Sequence, residues 1–396
     1  MKSIGIIGAG PVGLTLALEL AKYGIPTDVY ELLNEVNPHP RARGINARSM
    51  EIFRQLGLEE HISKFEFPDE SARFTYMTRL AGEVVGHVIA HIDRSGKDSP
   101  VSRAMISQDR LEEILESECL RQPLINLQRG CKAEWVGEFD EGVRVKVTGL
   151  SDGLERELSH SYLVACDGGQ SEVREALEIP LESSRELGTF ESVFCRVDIR
   201  PLISFDSLGV IFTDKQHSRY TLMSSMDGRW VFSSKLAEGE RRDTSFEEAQ
   251  RMIRETFSLD GLPIEVENIS YWKMGTGIAQ TFRSSRTFLA GDAAHKVPPT
   301  GGFGMNLGIQ DAHNLAWKLA LVLRGRLSAD LLDSYEKERK PMAAAIAKWS
   351  ENNAQRLKAT FEATAKGDLD ELRRLLNDMT HHVNAALQNL YKLAHT

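Results

Sequence analysis

No stretch of this chain reaches the roughly 18 consecutive apolar residues that a membrane-crossing helix requires, so no membrane span is expected. Basic residues do not predominate: 48 Lys and Arg against 57 Asp and Glu give a formal net charge of -9. A phosphate backbone would be repelled by that balance, which argues against a nucleic-acid partner. Cysteine is sparse. Cys119, Cys131, Cys166 and Cys195 lie far apart with no Cys-x-x-Cys spacing. That pattern speaks against a disulfide framework or a zinc site and for reduced, structural thiols in the cytoplasm. The opening MKSIGIIG is strand-length and broken by glycine, unlike a signal peptide. Hydrolytic signatures are missing as well: there is no Gly-x-Ser-x-Gly elbow, no His-Glu-x-x-His and no P-loop pattern. His381 and His382 read as part of a polar helix face.

What is present is nucleotide grammar. With 396 residues, two domains are the default expectation. The run IGII suits a parallel strand buried on both faces, and Gly8-Ala9-Gly10-Pro11-Val12-Gly13 follows it directly. Gly8 permits a tight turn, Gly10 lets backbone approach a pyrophosphate, and Gly13 lets a helix pack close to the strand. Pro11 sits near the helix start, where its missing N–H costs little, and Gly24 lies just past the end. The N-terminal N–H groups and dipole of that helix would face a diphosphate. A second strand-like run, TDVYE, ends at Glu31 about 20 residues on, where a carboxylate can accept from a ribose diol. It would repel a 2′-phosphate, so the turn should hold FAD or NAD rather than NADP.

Two later stretches repeat the strand-then-turn order. LVACDGGQSEVREAL places Asp167-Gly168 at a strand end and Arg174 on the following helix. RTFLAGDAAHKVPPTGGFGMNLGIQDAHNLAWKLALVL has Gly291-Asp292 at a strand end, a Pro/Gly-rich loop, and then a long helix. Leu315, Leu319 and Val322 mark the buried face of that helix. With PRARGINARSMEIFRQLGL and ISQDRLEEIL, these motifs resemble the flavin-dependent aromatic hydroxylases, the class A FAD monooxygenases related to para-hydroxybenzoate hydroxylase. The nearer likeness is to the branch acting on phenols, polyketides and rifamycins. The motif order is matched from residue 1 to about 345.

The resemblance implies FAD in an extended pose, with Gly8, Gly10, Pro11, Val12 and Gly13 at the diphosphate and Glu31 at the adenosine ribose. It implies Arg41 near the pyrophosphate and flavin, Gln108 near the cofactor backbone, and Asp167 at the second nucleotide turn. Asp292 is implied at the ribityl or pyrophosphate region, and Gly304, Met305 and Asn306 at the pyrimidine edge of the flavin. Physics supports the last placement: reduced flavin is an anion, and a helix N-terminus offers free N–H groups and a positive dipole end worth up to about 2 kcal/mol. The reaction implied is NAD(P)H reduction of FAD, O₂ addition to give a C4a-hydroperoxyflavin, and oxygen transfer to an aromatic, phenolic or polycyclic ring. NADPH or NADH would visit transiently, because no second dinucleotide turn occurs; GTGIAQ at Gly275 lacks the flanking strand and helix. The flavin carries the chemistry, so no catalytic side chain is nominated, and His295 reads as a supporting residue. A halogenase or dehydrogenase on this scaffold, or a flavin-bearing binding protein without turnover, stays open as an alternative.

The expected fold is α/β. A Rossmann-like FAD-binding domain with a parallel sheet takes residues 1–70, 100–178 and 275–345. A substrate-binding domain of antiparallel sheet takes 71–99 and 179–274. The C-terminal helical segment is 346–396. SVFCRVDI, LGVIFTD, RYTLMSSMD and RWVFSSKL read as strands, with Tyr220, Met223, Trp230 and Trp272 as candidates to face the flavin. SFEEAQRMIRETF reads as an amphipathic helix covering that sheet. The chain stops short of the thioredoxin-like domain that many phenol-hydroxylating relatives carry, and its tail is expected to pack on the nucleotide domain or on another subunit. A monomer or homodimer is expected.

Overall fold

The structure is a computed structural model. It describes residues 3–393 apart from 40, 91–98, 204–205, 215–216, 218–219, 226, 238 and 241, so part of the expected 71–99 segment lies outside the described residues. Its centre is a five-stranded parallel sheet in the order Thr287–Leu289, Tyr162–Ala165, Ile4–Ile7, Thr27–Tyr30, Ile125–Gln128. The three strands Ile4–Ile7, Tyr162–Ala165 and Thr287–Leu289 are buried at every residue, which explains their unbroken apolar runs. Helices Pro11–Lys22, Gln108–Arg121 and Gly304–Leu323 pack beside this sheet in one core. An antiparallel three-stranded sheet, formed by Cys131–Phe139, Gly142–Gly149 and Glu155–His160, adds Val143, Val145 and Val147 to that core.

The second sheet has eight strands. Glu265–Ala279, Leu181–Arg196, Arg229–Lys235, Tyr220–Ser224 and Gly209–Phe212 are joined antiparallel. At one edge His295–Lys296 pairs antiparallel with Glu265–Ala279; toward the opposite edge Gly209–Phe212 pairs parallel with Arg73–Met77, which Val84–Ile89 edges. The sheet is therefore antiparallel at all but this one seam. Gly275 lies inside the antiparallel Glu265–Ala279 strand and opens no nucleotide turn.

Side-chain parity divides this sheet into two faces. Val193, Cys195, Tyr220, Leu222, Trp230 and Phe232 join Ala249, Ile253 and Phe257 of the Phe246–Phe257 helix in one buried cluster. That helix begins at a capping box between Ser245 and Glu248. Tyr220 and Trp230 thus point at the covering helix, and the expectation that they face the flavin is corrected. Met223 has the opposite parity and packs with Phe74 against Phe67, Met105 and Leu208. Trp272 stacks on Phe190 at 4.7 Å and donates to Ser192 Oγ at 3.0 Å.

The C-terminal segment forms two helices, Asp333–Lys366 and Leu369–Leu393. The first runs without a break across residue 345. Ala363, Leu372 and Leu376 pack on Tyr76, Val85, Val88 and Ile211, so the tail rests mainly on the eight-stranded sheet. It also touches the loop before the Gly304–Leu323 helix, where Thr300 Oγ1 donates to the Ser350 carbonyl at 2.7 Å. All four cysteines are free thiols.

Candidate functional site

The glycine turn after Ile4–Ile7 is built as its spacing requires. Gly8 has φ +103, and a Cβ there would run into the Cys166 carbonyl. A Cβ on Gly13 would run into the Gly8 carbonyl oxygen, so helix and turn are in backbone contact. At Gly10, in contrast, nothing lies within 4 Å of a built Cβ. That position fronts open space, as a diphosphate approaching backbone needs. The Ala9 N–H donates to Glu31 Oε2 at 2.7 Å, and the Leu33 N–H to Glu31 Oε1 at 2.9 Å. Glu31 therefore ties the glycine turn to the end of the second strand, and a carboxylate retains further lone pairs for hydroxyl donors.

Val12 has a role that the spacing did not reveal. Its Cγ2 lies 2.5 Å from a Cβ built on Gly308 and 3.0 Å from one built on Gly291. Those two glycines let the Gly291–Asp292 loop and the Gly304–Leu323 helix close onto the first turn. Two segments almost 300 residues apart in sequence meet on one side chain.

The start of the Gly304–Leu323 helix has no side-chain cap. The Leu307 N–H is the first to bond back, to the Phe303 carbonyl. Among the described residues none accepts from the N–H groups of Gly304, Met305 or Asn306. A helix with orphan donors and a positive dipole end is an anion-binding surface. Asp292 stands beside it, its Oδ1 3.7 Å from a Cβ built on Gly304. Asp292 is exposed, yet the surrounding protein raises its carboxyl by desolvation, against the pull of His295, Arg41 and Lys296. The Asn306 side chain is fully committed: its Nδ2 donates to the Gly44 and Gly302 carbonyls and its Oδ1 accepts from the Asn46 N–H. Its contribution is to pin the Gly44–Ile45 strand beside the free amides.

Arg41 is exposed and within electrostatic reach of Asp292, His39 and Glu112. Gln108 holds the Arg41 loop in place, accepting from the Ala42 N–H at 3.2 Å and donating to Glu112 Oε1 at 2.7 Å. Glu112 was not foreseen. Burial pushes its carboxyl up to about 7, with Glu31 adding to the rise and Gln108 and Arg41 opposing it. Asp167 accepts from the Val173 N–H at 3.2 Å, while its Oδ1 is buried without a partner. Burial raises its carboxyl too. Arg174 Nη1 donates to the Ala293 carbonyl at 3.2 Å and so fastens the Asp167 turn to the Gly291 loop.

Beneath that loop lies a buried ion network that no residue spacing signals. Asp311 Oδ2 lies 2.6 Å from His295 Nε2 and accepts from the Gly291 N–H; its Oδ1 accepts from Arg339 Nε at 2.7 Å. Burial would raise the Asp311 carboxyl, but His295 and Arg339 outweigh it and hold it below the ordinary range. His295 is thus a supporting residue, as expected. A second network ties the eight-stranded sheet to the Gln108–Arg121 helix and the Arg43 loop: Arg229 pairs with Asp109 and Asp227, and Arg43 Nε donates to the Ser224 carbonyl at 2.7 Å. Phe194 on the same face of the sheet lies 5.1 Å beneath the Arg229 guanidinium and 5.7 Å from the His39 ring.

The residues fit FAD on these observations: an open Gly10, three partnerless helix amides, an exposed carboxylate beside them and a buried acceptor at Asp167. No metal-binding group of His, Cys, Asp or Glu occurs among the described residues.

Comparison with known proteins agrees. The FAD binding domain family matches residues 1–350. A 4-methyl-5-nitrocatechol 5-monooxygenase of Burkholderia sp is 33% identical over 353 residues, covering 86% of this chain and 64% of that protein. A tetracenomycin A2 monooxygenase-dioxygenase of Streptomyces glaucescens is 33% identical over 404 residues, covering 95% of this chain and 70% of that one. The chain thus spans about two thirds of the length of these relatives. Among solved structures, the flavin-dependent monooxygenase PieE in complex with FAD and substrate superimposes with a TM-score of 0.84 at 26% identity, covering 100% of this chain and 72% of the other. The ternary complex of aklavinone-11 hydroxylase with FAD and aklavinone gives 0.76 at 30% identity, covering 88% and 68%. With the glycine turn, the Gly-Asp loop and the uncapped helix in one place, the chain belongs to the FAD binding domain family of flavin-dependent aromatic monooxygenases.

Proposed function

We propose that this chain hydroxylates an aromatic ring, phenolic or polycyclic, with FAD as resident cofactor, NADPH or NADH as transient reductant and O₂ as co-substrate. The observation that carries the reading is the close packing of the Gly8–Gly13 turn on the loop of Asp292 and on the helix whose first amides, Gly304, Met305 and Asn306, are partnerless. FAD bound there supplies hydride acceptance from the nicotinamide and activation of O₂ for transfer to the ring.

The chain's own residues bind, orient and exclude water. Gly8, Gly10, Pro11, Val12 and Gly13 present the helix N-terminus to the diphosphate. Glu31 accepts from the adenosine ribose, and Arg41, on the loop that Gln108 holds through the Ala42 N–H, offsets phosphate charge. Asp167 and Asp292 take the ribityl side. The amides of Gly304, Met305 and Asn306 stabilise negative charge at the pyrimidine edge. On the sheet, Phe74 and Met223 present an apolar wall that keeps the ring site dry. The same protein acts in the cytoplasm, as a monomer or homodimer; among the described residues no helix is long and apolar enough to cross a membrane.

The test is NADPH or NADH oxidation and O₂ uptake by the FAD-loaded protein with a panel of phenols, with and without halide. Ring-dependent stimulation of both, with a hydroxylated product, is expected. A halogenated product, or a colourless protein that takes up no FAD, contradicts the proposal.

A further inference from the structure

Arg103 stands immediately before the Ala104–Met105 strand, which pairs with Gly44–Ile45. Its Nη2 meets only a thioether, Met105 Sδ at 3.0 Å, and its Nη1 is closed off from solvent with no hydrogen-bond partner. A guanidinium has five N–H donors and no acceptor, and sulfur is a weak partner for it. No described carboxylate answers it: burial alone pushes Arg103 down to about 10, with no neighbouring charge contributing. The other two buried arginines at this junction are engaged, Arg229 by Asp109 and Asp227 and Arg43 by the Ser224 carbonyl and the nearby Asp109.

Its position gives the unpaired charge a meaning. Arg103 Nη2 is 3.8 Å from a Cβ built on Gly44, and the Gly44 carbonyl is held by Asn306 at the start of the uncapped helix. Met105, whose Sδ lies 3.7 Å from the same built Cβ, belongs to the apolar cluster of Phe67, Ala72 and Leu208 that Phe74 and Met223 complete from the sheet. The guanidinium therefore stands beside the Gly44 strand that Asn306 pins and beside the apolar cluster assigned to the substrate ring. As a residue it is intermediate in exposure, and Nη2, which meets only the Met105 thioether, is the atom an incoming ligand would engage. Buried charges are kept when they find a counter-charge.

We propose that Arg103 sets substrate specificity by pairing with a carboxylate on the aromatic ring, which takes the place of the Met105 thioether. This rests on the hydroxylase reading above. The substrate class is then acidic aromatics, not neutral polycycles.

The experiment measures dissociation constants of FAD-loaded protein for 3,4-dihydroxybenzoate and catechol, by perturbation of the flavin absorbance. Wild type is expected to favour the acid by about ten-fold or more, as a charge-assisted pair implies. In Arg103→Met the ratio falls toward one, and Arg103→Lys retains part of it. Because Arg103→Met removes an unpaired buried charge, its melting temperature without ligand should equal or exceed that of wild type. An acid preference that survives in Arg103→Met overturns the assignment. So does a melting temperature well below wild type, which marks a structural arginine. Rings that bind wild type with no acid preference overturn the Arg103 role alone; if no ring perturbs the flavin, the hydroxylase reading falls with it.

Discussion

Gly13→Ala is expected to cost the folded protein about 3 kcal/mol or more and to abolish FAD retention, whereas Gly10→Ala, three residues away, should leave the fold intact and weaken FAD alone. The two glycines belong to one motif but meet different surroundings. A methyl at residue 13 would strike the Gly8 carbonyl and crowd Ile6 Cγ2 at 3.3 Å. Backbone cannot step aside there without moving the central strand, and overpacking of this kind costs about 1–3 kcal/mol even where neighbours are side chains. At residue 10 a methyl meets nothing within 4 Å, so any loss must come from what occupies that space when FAD is bound. Thermal melts of the apoproteins and fluorescence titration with FAD separate the two effects. Equal FAD affinity in Gly10→Ala and wild type would mean that the turn does not hold a diphosphate.

Asp311→Asn should be the most damaging change to the second half of the site. It removes the one negative charge shared by His295 and Arg339 and weakens the bond to the Gly291 N–H. The group is fully buried, and breaking a buried pair from one side costs about 3–5 kcal/mol. The effect has a defined pH dependence. Asp311 is held below the ordinary carboxylate range in the folded protein, so its ionised form is favoured by folding. The stability it adds is complete above about pH 4, the unfolded value, and is lost as pH falls through the lower, folded value. Melting temperatures of wild type and Asp311→Asn should differ widely at pH 7 and converge in acid. A difference that persists undiminished to pH 2 would assign the effect to shape and not to charge.

The parts of this site legible in sequence are those that depend on local backbone. A turn that needs positive φ at Gly8 and bare backbone at Gly13 admits little but glycine, so spacing alone exposes it. Glu31, at a strand end, and Gly291-Asp292, before a long loop and helix, are visible for the same reason. Partners chosen by tertiary contact leave no such trace. Asp311 finds His295 on the loop behind it and Arg339 on the next helix, and nothing in their spacing distinguishes them from solvated charges. Tyr220 and Trp230 were misjudged because alternation tells which residues share a face but not which face is covered; the Phe246–Phe257 helix covers theirs. The parallel seam between Arg73–Met77 and Gly209–Phe212 joins strands over 130 residues apart, beyond any local signal. Glu112 and Arg103 look like ordinary surface charges until burial shows otherwise.

The central claim is that two distant glycine-rich segments clasp one cofactor, the first at its phosphates and the second at its ring. A crystal structure of the FAD-loaded protein tests it most directly. The account predicts the diphosphate over Gly10 and the pyrimidine edge of the ring within hydrogen-bond distance of the free amides of Gly304, Met305 and Asn306. A flavin lodged elsewhere, with those amides still partnerless, would contradict it.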